Sequence, residues 1–135
     1  MQRQQWLDGF AGSGRYQCLV VVKGGAVIGW ASSHRFRERA AYDTTVETSV
    51  YLAPNQTGQG VGRLLYTALF EALKGQDIHR FYGGITQPNA ASNRLHERMG
   101  FQRVGLVPQV GRKFGRFWDV ATDIRAMSPE GGLEP

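Results

Sequence analysis

Three glycines crowd into five positions, Gly58-Gln59-Gly60-Val61-Gly62, where one hydrophobic period gives way to another. Upstream, Thr44 to Leu52 alternates: Thr44, Val46, Thr48, Val50 and Leu52 share one face, with Thr45, Glu47, Ser49 and Tyr51 opposite. That is the period of a strand, and Pro54 ends it. Downstream, Val61, Leu64, Leu65, Ala68, Leu69, Ala72 and Leu73 form one wide helical stripe, stopped by Gly75. A glycine-rich passage from strand to helix lets successive N–H groups point into one concavity at the positive end of the helix dipole. Such a cradle suits a phosphate or diphosphate. No Lys-Ser or Lys-Thr follows at the Walker spacing, and G-x-G-x-G is not the dinucleotide fingerprint G-x-G-x-x-G. A plain flexible turn is the alternative reading of the loop.

Gln2 to Asp8 reads as the tail of a helix and Gly9 to Gly14 as a loop. Tyr16–Lys23 and Ala26–Ser33 are rich in strand formers and flank Gly24-Gly25, a two-residue hairpin signal. A basic polar loop, His34 to Asp43, leads into the strand at Thr44. Beyond the long helix come a strand from His79 to Ile85 and a second helix from Ala90 to Met99 with Gly100 terminating it. Strands at Phe101–Val107 and Phe114–Ala126 complete the pattern, with no internal repeat. The strand–helix–strand unit requires a parallel pair, whereas the hairpins are antiparallel. The expected class is α+β (α/β three-layer), with a mixed, mostly antiparallel central sheet flanked by helices. One domain over residues 1–127 and a polar tail over 128–135 are expected.

Composition narrows the function classes. The chain has 135 residues, a net charge of +5, 41% hydrophobic and 20% charged residues, an ordinary globular mixture. Positive charge favours anionic partners, a nucleic-acid backbone or the phosphates of a small ligand. The longest apolar run, Cys18 to Val22, is far below the roughly 20 residues that span a bilayer. The start MQRQQW carries no signal-peptide core, and the lone Cys18 suits a reducing compartment, so a cytoplasmic protein with no membrane partner is expected. Three scattered histidines and one cysteine assemble no metal site.

A second motif is Asn89-Ala-Ala-Ser-Asn-Arg-Leu-His-Glu-Arg-Met-Gly-Phe101. On a helix Asn89, Ser92, Asn93 and His96 share a face beside the core stripe of Ala91, Leu95 and Met99. That polar face grips a ligand or is simply solvated. Taken together, AYDTTVETSVYLAPNQTGQGVGRLL (Ala41 to Leu65), NAASNRLHERMGF (Asn89 to Phe101) and VGRKFGRFWDV (Val110 to Val120) resemble the GCN5-related N-acetyltransferases. The first segment marks the superfamily. The other two are similar to its phosphinothricin and methionine sulfoximine N-acetyltransferase branch, and the likeness covers about residues 6 to 126.

The resemblance implies an acyl-CoA N-acyltransferase fold with acetyl-CoA as donor, a small-molecule amine as acceptor, and a homodimer. It implies that the backbone of Val50, Tyr51 and Leu52 pairs with the pantetheine arm and that Gly58, Gln59, Gly60, Val61, Gly62 and Arg63 hold the diphosphate. Asn89, Ser92 and Asn93 would contact the far side of the arm, and Phe36, Ala41 and Tyr42 would line the amine pocket. Glu47 matches the branch's general base, and His96 stands near the cofactor sulfur where other branches use a tyrosine. Two departures stand out. Thr57 fills a place usually held by Arg or Gln, with Gln56 one residue early. The family's opening strand and helix also have no counterpart here; Gln2 to Asp8 matches the end of the next helix, so an N-terminally shortened form of the fold is expected.

The chemistry fits these residue types. An amine with a lysine-like pKa is about 99.9% protonated at neutral pH and must lose a proton before it attacks a thioester. A half-buried Glu47 can take it; a cross-strand partner for an arginine is the structural alternative. The N–H of Tyr51 or Leu52 would face the oxyanion. His96 would protonate the leaving thiolate or hydrogen-bond the substrate, while His34 and His79 read as surface residues. The runs Arg35–Arg39 and Arg112–Arg116 are solvated faces, a carboxylate site for the acceptor, or a contact between subunits. Two competing readings are a CoA-binding protein with weak or no catalysis, its pocket opened by the missing N-terminal part, and a nucleic-acid binder stacking bases on Phe36, Tyr82 or Phe114. Interspersed acids and the lack of an aromatic-plus-basic strand argue against the latter.

Overall fold

The computed structural model describes residues 5–8, 14–56 and 60–128. Seven strands form one mixed sheet: β1 (Gln5–Asp8), β2 (Cys18–Lys23), β3 (Ala26–Arg35), β4 (Thr45–Leu52), β5 (Arg80–Thr86), β6 (Gln102–Lys113) and β7 (Arg116–Ala126). Their spatial order is β1-β2-β3-β4-β5-β7-β6, and only β4 and β5 run parallel. Helix α1 (Val61–Leu73) makes the crossover between those two strands, and α2 (Ala90–Arg98) follows β5. No helix among the described residues is long and apolar enough to cross a membrane.

Local chemistry accounts for most of this. Gly24 and Gly25 adopt φ of 59° and 80°, the left-handed pair that a tight two-residue hairpin needs. The helical stripe read from the sequence is rotated slightly in the fold. Leu65, Leu69 and Leu73 are buried, but so are Tyr66 and Phe70, while Leu64, Ala68 and Ala72 stay partly exposed. The aromatic pair turns the buried face of α1 towards β5 and the segment after α2. Tyr66 stacks on Phe70 at 5.2 Å between centroids, Phe70 tilts against Phe81 at 4.8 Å, and Phe101 closes the cluster 5.4 Å from Tyr66. Val21, Ala31 and Val46 complete the core beneath α1.

Three expectations need correction. Gln5–Asp8 is a strand paired antiparallel with β2, from Gln5↔Val22 to Asp8↔Leu19, and not the end of a helix. Four residues gain little from an isolated helical turn, whereas the free edge of β2 offers a ladder of backbone partners. Strand β6 does not stop at Val107. It continues to Lys113 through an irregularity between Val107 and Gly111, where Gln109 takes φ of 53°, so β6 and β7 form one long hairpin. Phe114 and Gly115 are its turn and not the start of β7. The basic loop is also shorter than its composition suggests: His34 and Arg35 belong to β3, and Ala40–Tyr42 forms a single 3-10 turn.

Phe81, on β5, is 0% exposed and packs against Phe70. Phe81→Ala is expected to lower unfolding stability by about 3–5 kcal/mol, read from urea denaturation, because the rigid aromatic cluster cannot collapse into the cavity. A loss below about 1 kcal/mol would contradict this packing.

Candidate active site

The parallel strands part. Strands β4 and β5 pair from Thr45↔Arg80 to Thr48↔Gly83 and no further. Beyond that point β4 stays with β3 as far as Gly29↔Leu52, while β5 stays with β7 as far as Thr86↔Val120. A wedge therefore opens along one edge of Ser49–Leu52. The Ala53 N–H donates to the Ile28 carbonyl at 2.9 Å, and antiparallel alternation directs the Tyr51 N–H the same way, towards β3. The N–H groups of Val50 and Leu52 face the wedge. Of the two donors expected to face an oxyanion, Tyr51 is therefore committed to the sheet and Leu52 is open.

The wedge leads into a cleft of about 520 Å³ on the helical face of the sheet. Val50, Tyr51 and Leu52 form one wall; Asn89 and Ser92 of α2 form the other. Gly60 and Arg63, at the start of α1, close one end. Gly60 is the N-cap, with φ of 78°, a conformation that favours glycine. Among the described residues no side chain caps α1 and its first turn holds no acid, so the N–H groups there suit an anion. Gly62 has a different reason to be glycine. A Cβ there would lie 2.8 Å from a Leu95 methyl, so the two helices meet at their closest where no side chain intervenes. Thr57, Gly58 and Gln59 lie outside the described residues.

The polar face read along α2 divides in two. Asn89 caps the helix, accepting the Ser92 N–H at 3.1 Å, and lines the cleft with Ser92. Asn93 turns the other way. Its amide forms a reciprocal 2.9 Å pair with Gln87 and also accepts from Arg103, which is ion-paired to the buried Asp123 at 2.6 Å. Asn93 is thus a structural bracket and does not reach the cleft.

His96 is likewise in the interior, 5% exposed and absent from the cleft wall. Its Nδ1–H donates to the Ser92 carbonyl at 2.8 Å, which leaves Nε2 to accept the Tyr66 hydroxyl at 2.7 Å. Tyr66 Oη in turn accepts the Thr48 hydroxyl at 2.9 Å. Burial holds the His96 pKa below its ordinary value and pushes that of Tyr66 up, so both groups are neutral. The ring sits beside Gly83, where an added Cβ would be 3.5 Å away. His96 therefore ties α1, α2 and the apex of the wedge together, with no free proton directed at a ligand.

Glu47 precedes Thr48 and faces the opposite side of the sheet. Its register neighbours are His34 on β3 and Tyr82 on β5, and among the described residues it forms no ion pair with an arginine. Around it the loop brings Phe36 to 4.8 Å from Tyr82 and 6.1 Å from Tyr42, with Ala41 in the same 3-10 turn. The Arg37 guanidinium stands 4.0 Å over the Phe36 ring. His34 is exposed, and its Nε2 is held 2.6 Å from the hydroxyl of the buried Ser32. Sequence reading did not group Tyr82 and His34 with Glu47; only the strand pairings His34↔Glu47 and Glu47↔Tyr82 bring them together. The Arg112–Arg116 run, by contrast, lies on the distant hairpin, where Arg116 covers Trp118 at 4.5 Å and Arg112 lies 5.6 Å from Phe117.

Comparison with known proteins is consistent with this geometry. A family described as Acetyltransferase (GNAT) matches residues 1–101. The phosphinothricin N-acetyltransferase of Streptomyces coelicolor is 49% identical over 122 residues, 89% of this chain and 71% of that protein. An L-methionine sulfoximine/L-methionine sulfone acetyltransferase of Pseudomonas paraeruginosa is 43% identical over 119 residues, 87% of this chain and 69% of its own. A phosphinothricin acetyltransferase from Sinorhizobium meliloti, solved in complex with acetyl-CoA, superposes with a TM-score of 0.78 at 33% identity, over 89% of this chain and 65% of that one. All three are longer than the stretch they share with it.

The buried imidazole has a measurable consequence. An unfolded chain protonates His96 near 6.5, whereas the folded site resists protonation. Stability from this group is therefore full above about pH 6.5 and declines as the pH falls below it. Thermal midpoints measured from pH 8 to 5 should drop on the acid side, less steeply in His96→Gln; identical acid limbs would place the imidazole in solvent.

Proposed function

The chain belongs to the acetyltransferase (GNAT) family, and on that premise we propose that it moves the acetyl group of acetyl-CoA directly to the primary amine of a small amino-acid-like acceptor, of the phosphinothricin or methionine sulfoximine type, with Glu47 as general base. The observation that carries this reading is the parting of β4 and β5 beyond Thr48 and Gly83. It joins an anion-receptive helix start on one face of the sheet to a carboxylate among aromatic rings on the other.

The residues suit the two substrates separately. On the helical face, the first-turn N–H groups of α1 and Arg63 fit a diphosphate, and the exposed backbone edge at Val50 and Leu52 fits the amides of a pantetheine arm. Bound acetyl-CoA supplies the activated acyl group. The Leu52 N–H, directed into the wedge, can donate to a thioester carbonyl placed there. On the opposite face, Tyr42 and Tyr82, gathered about Phe36, suit an ammonium group. Arg37, stacked over the Phe36 ring at 4.0 Å, has a planar fork that can meet an acceptor carboxylate. Glu47 takes the ammonium proton, directly or through water, and so makes the amine nucleophilic.

The names borne by the relatives support the substrate class. A homodimer belongs to the same proposal. The β6–β7 hairpin exposes Val110 at 61%, Phe114 at 84% and Phe117 at 59%, an apolar strip that a second copy would cover. The free thiol of Cys18 suits a reducing cytoplasm.

Thiol release from acetyl-CoA with phosphinothricin or methionine sulfoximine as acceptor tests the reading. Glu47→Gln should lower kcat by about 10²–10⁴-fold. Acetyl-CoA affinity should not change, because Glu47 is on the other face of the sheet. An unchanged rate would reject Glu47 as the base, and no release by the wild type with any amino-acid analogue would reject the activity.

A further inference from the structure

The cleft on the helical face holds more positive charge than a diphosphate needs. Besides Arg63, it is lined by Arg94 and Arg98, which lie one turn apart on the same face of α2. No carboxylate lines this cleft, and none of the three arginines has an acidic partner among the described residues. Glu97, the only acid of α2, turns to the far side beside Arg103 and Asp123. The placement is unfavourable in the free protein. Arg63 sits in the first turn of α1, where the helix dipole opposes a cation, and Arg94 and Arg98 repel each other at i,i+4. Arg98 gains from the C-terminal end of its helix; mid-helix Arg94 does not.

We infer that Arg94 and Arg98 form a subsite for a nucleotide phosphomonoester, separate from the start of α1, where the diphosphate binds. This rests on the acetyl-CoA reading above. Coenzyme A carries a diphosphate and a 3′-phosphate, and the latter bears close to two charges at neutral pH. A single uncapped helix start supplies donors for the first group only. Two exposed guanidinium groups on the facing wall, each with a planar fork of donors, match the second. The subsite makes the 3′-phosphate a selection criterion: the protein would distinguish coenzyme A from dephospho-coenzyme A, which is identical through the pantetheine and diphosphate.

Calorimetric titration of the full chain with coenzyme A and with dephospho-coenzyme A tests this. The wild type should bind coenzyme A tighter by about tenfold or more, the range expected for charge-assisted hydrogen bonds to a phosphate. Arg94→Gln/Arg98→Gln should erase that preference by weakening coenzyme A alone, and Arg63→Gln should weaken both ligands alike. Equal wild-type affinities, or a double variant that weakens both ligands equally, would overturn the subsite while leaving the donor reading intact. If the folded protein binds neither, the donor reading falls and the subsite with it. The wild-type comparison needs no substitution, so it stands whatever the variants do to folding.

Discussion

The separation of two neighbouring strands is the constraint on which the site depends. Buried backbone groups are nearly always paired, and a parallel pair in the middle of a sheet is where pairing is most complete. Here β4 and β5 give up that pairing over their C-terminal halves while each keeps its other neighbour. The outer partners keep their pairing: β3 follows β4 to its end, and β7 follows β5. At the apex, Thr48, Tyr66 and His96 form a hydrogen-bonded chain that fixes where the strands part. Gly83 leaves room for the imidazole. The opening is a product of packing on both sides of it and not a flaw in the ladder.

The helices complete the opening in contrasting ways. Helix α2 satisfies its own start through Asn89, whereas α1 begins on a left-handed glycine with no side chain among the described residues reaching back. One helix is self-contained and forms a wall; the other presents its dipole to whatever enters. Gly62 lets them approach closely, and Leu95, which meets it, lines the cleft between its two walls.

Much of this was legible in the sequence because it rests on local periodicity. The alternation of β4 and the helical period of α1 read correctly from residue order alone, although Tyr66 and Phe70 rotate the buried face of the helix away from Leu64, Ala68 and Ala72. What escaped was decided by distant partners. Gln5–Asp8 is too short to carry a pattern of its own, and the edge of β2 determines its state. The continuation of β6 beyond Pro108 depends on pairing with β7 across an irregularity. On α2, residue spacing grouped Asn93 and His96 with Asn89 and Ser92, but a polar face can turn inward where buried partners await it. Gln87, Arg103 and Asp123 claim Asn93; Tyr66 claims His96. Tyr82 was hard to see for the same reason, since its closeness to Glu47 exists only once β4 and β5 are paired.

Glu47 and Thr48 are adjacent in sequence and belong to opposite worlds. One faces the side of the sheet that carries the Phe36, Tyr42 and Tyr82 rings; the other, 4% exposed, joins the interior hydroxyl chain. Were β4 to slip by one residue against β3, the carboxylate would land against Tyr66 in a dry interior and the hydroxyl would take its place outside. Charge burial makes such a frame shift prohibitive. The Glu47 carboxylate thereby also acts as a steric and electrostatic key that locks the strand into the one alignment in which the wedge opens.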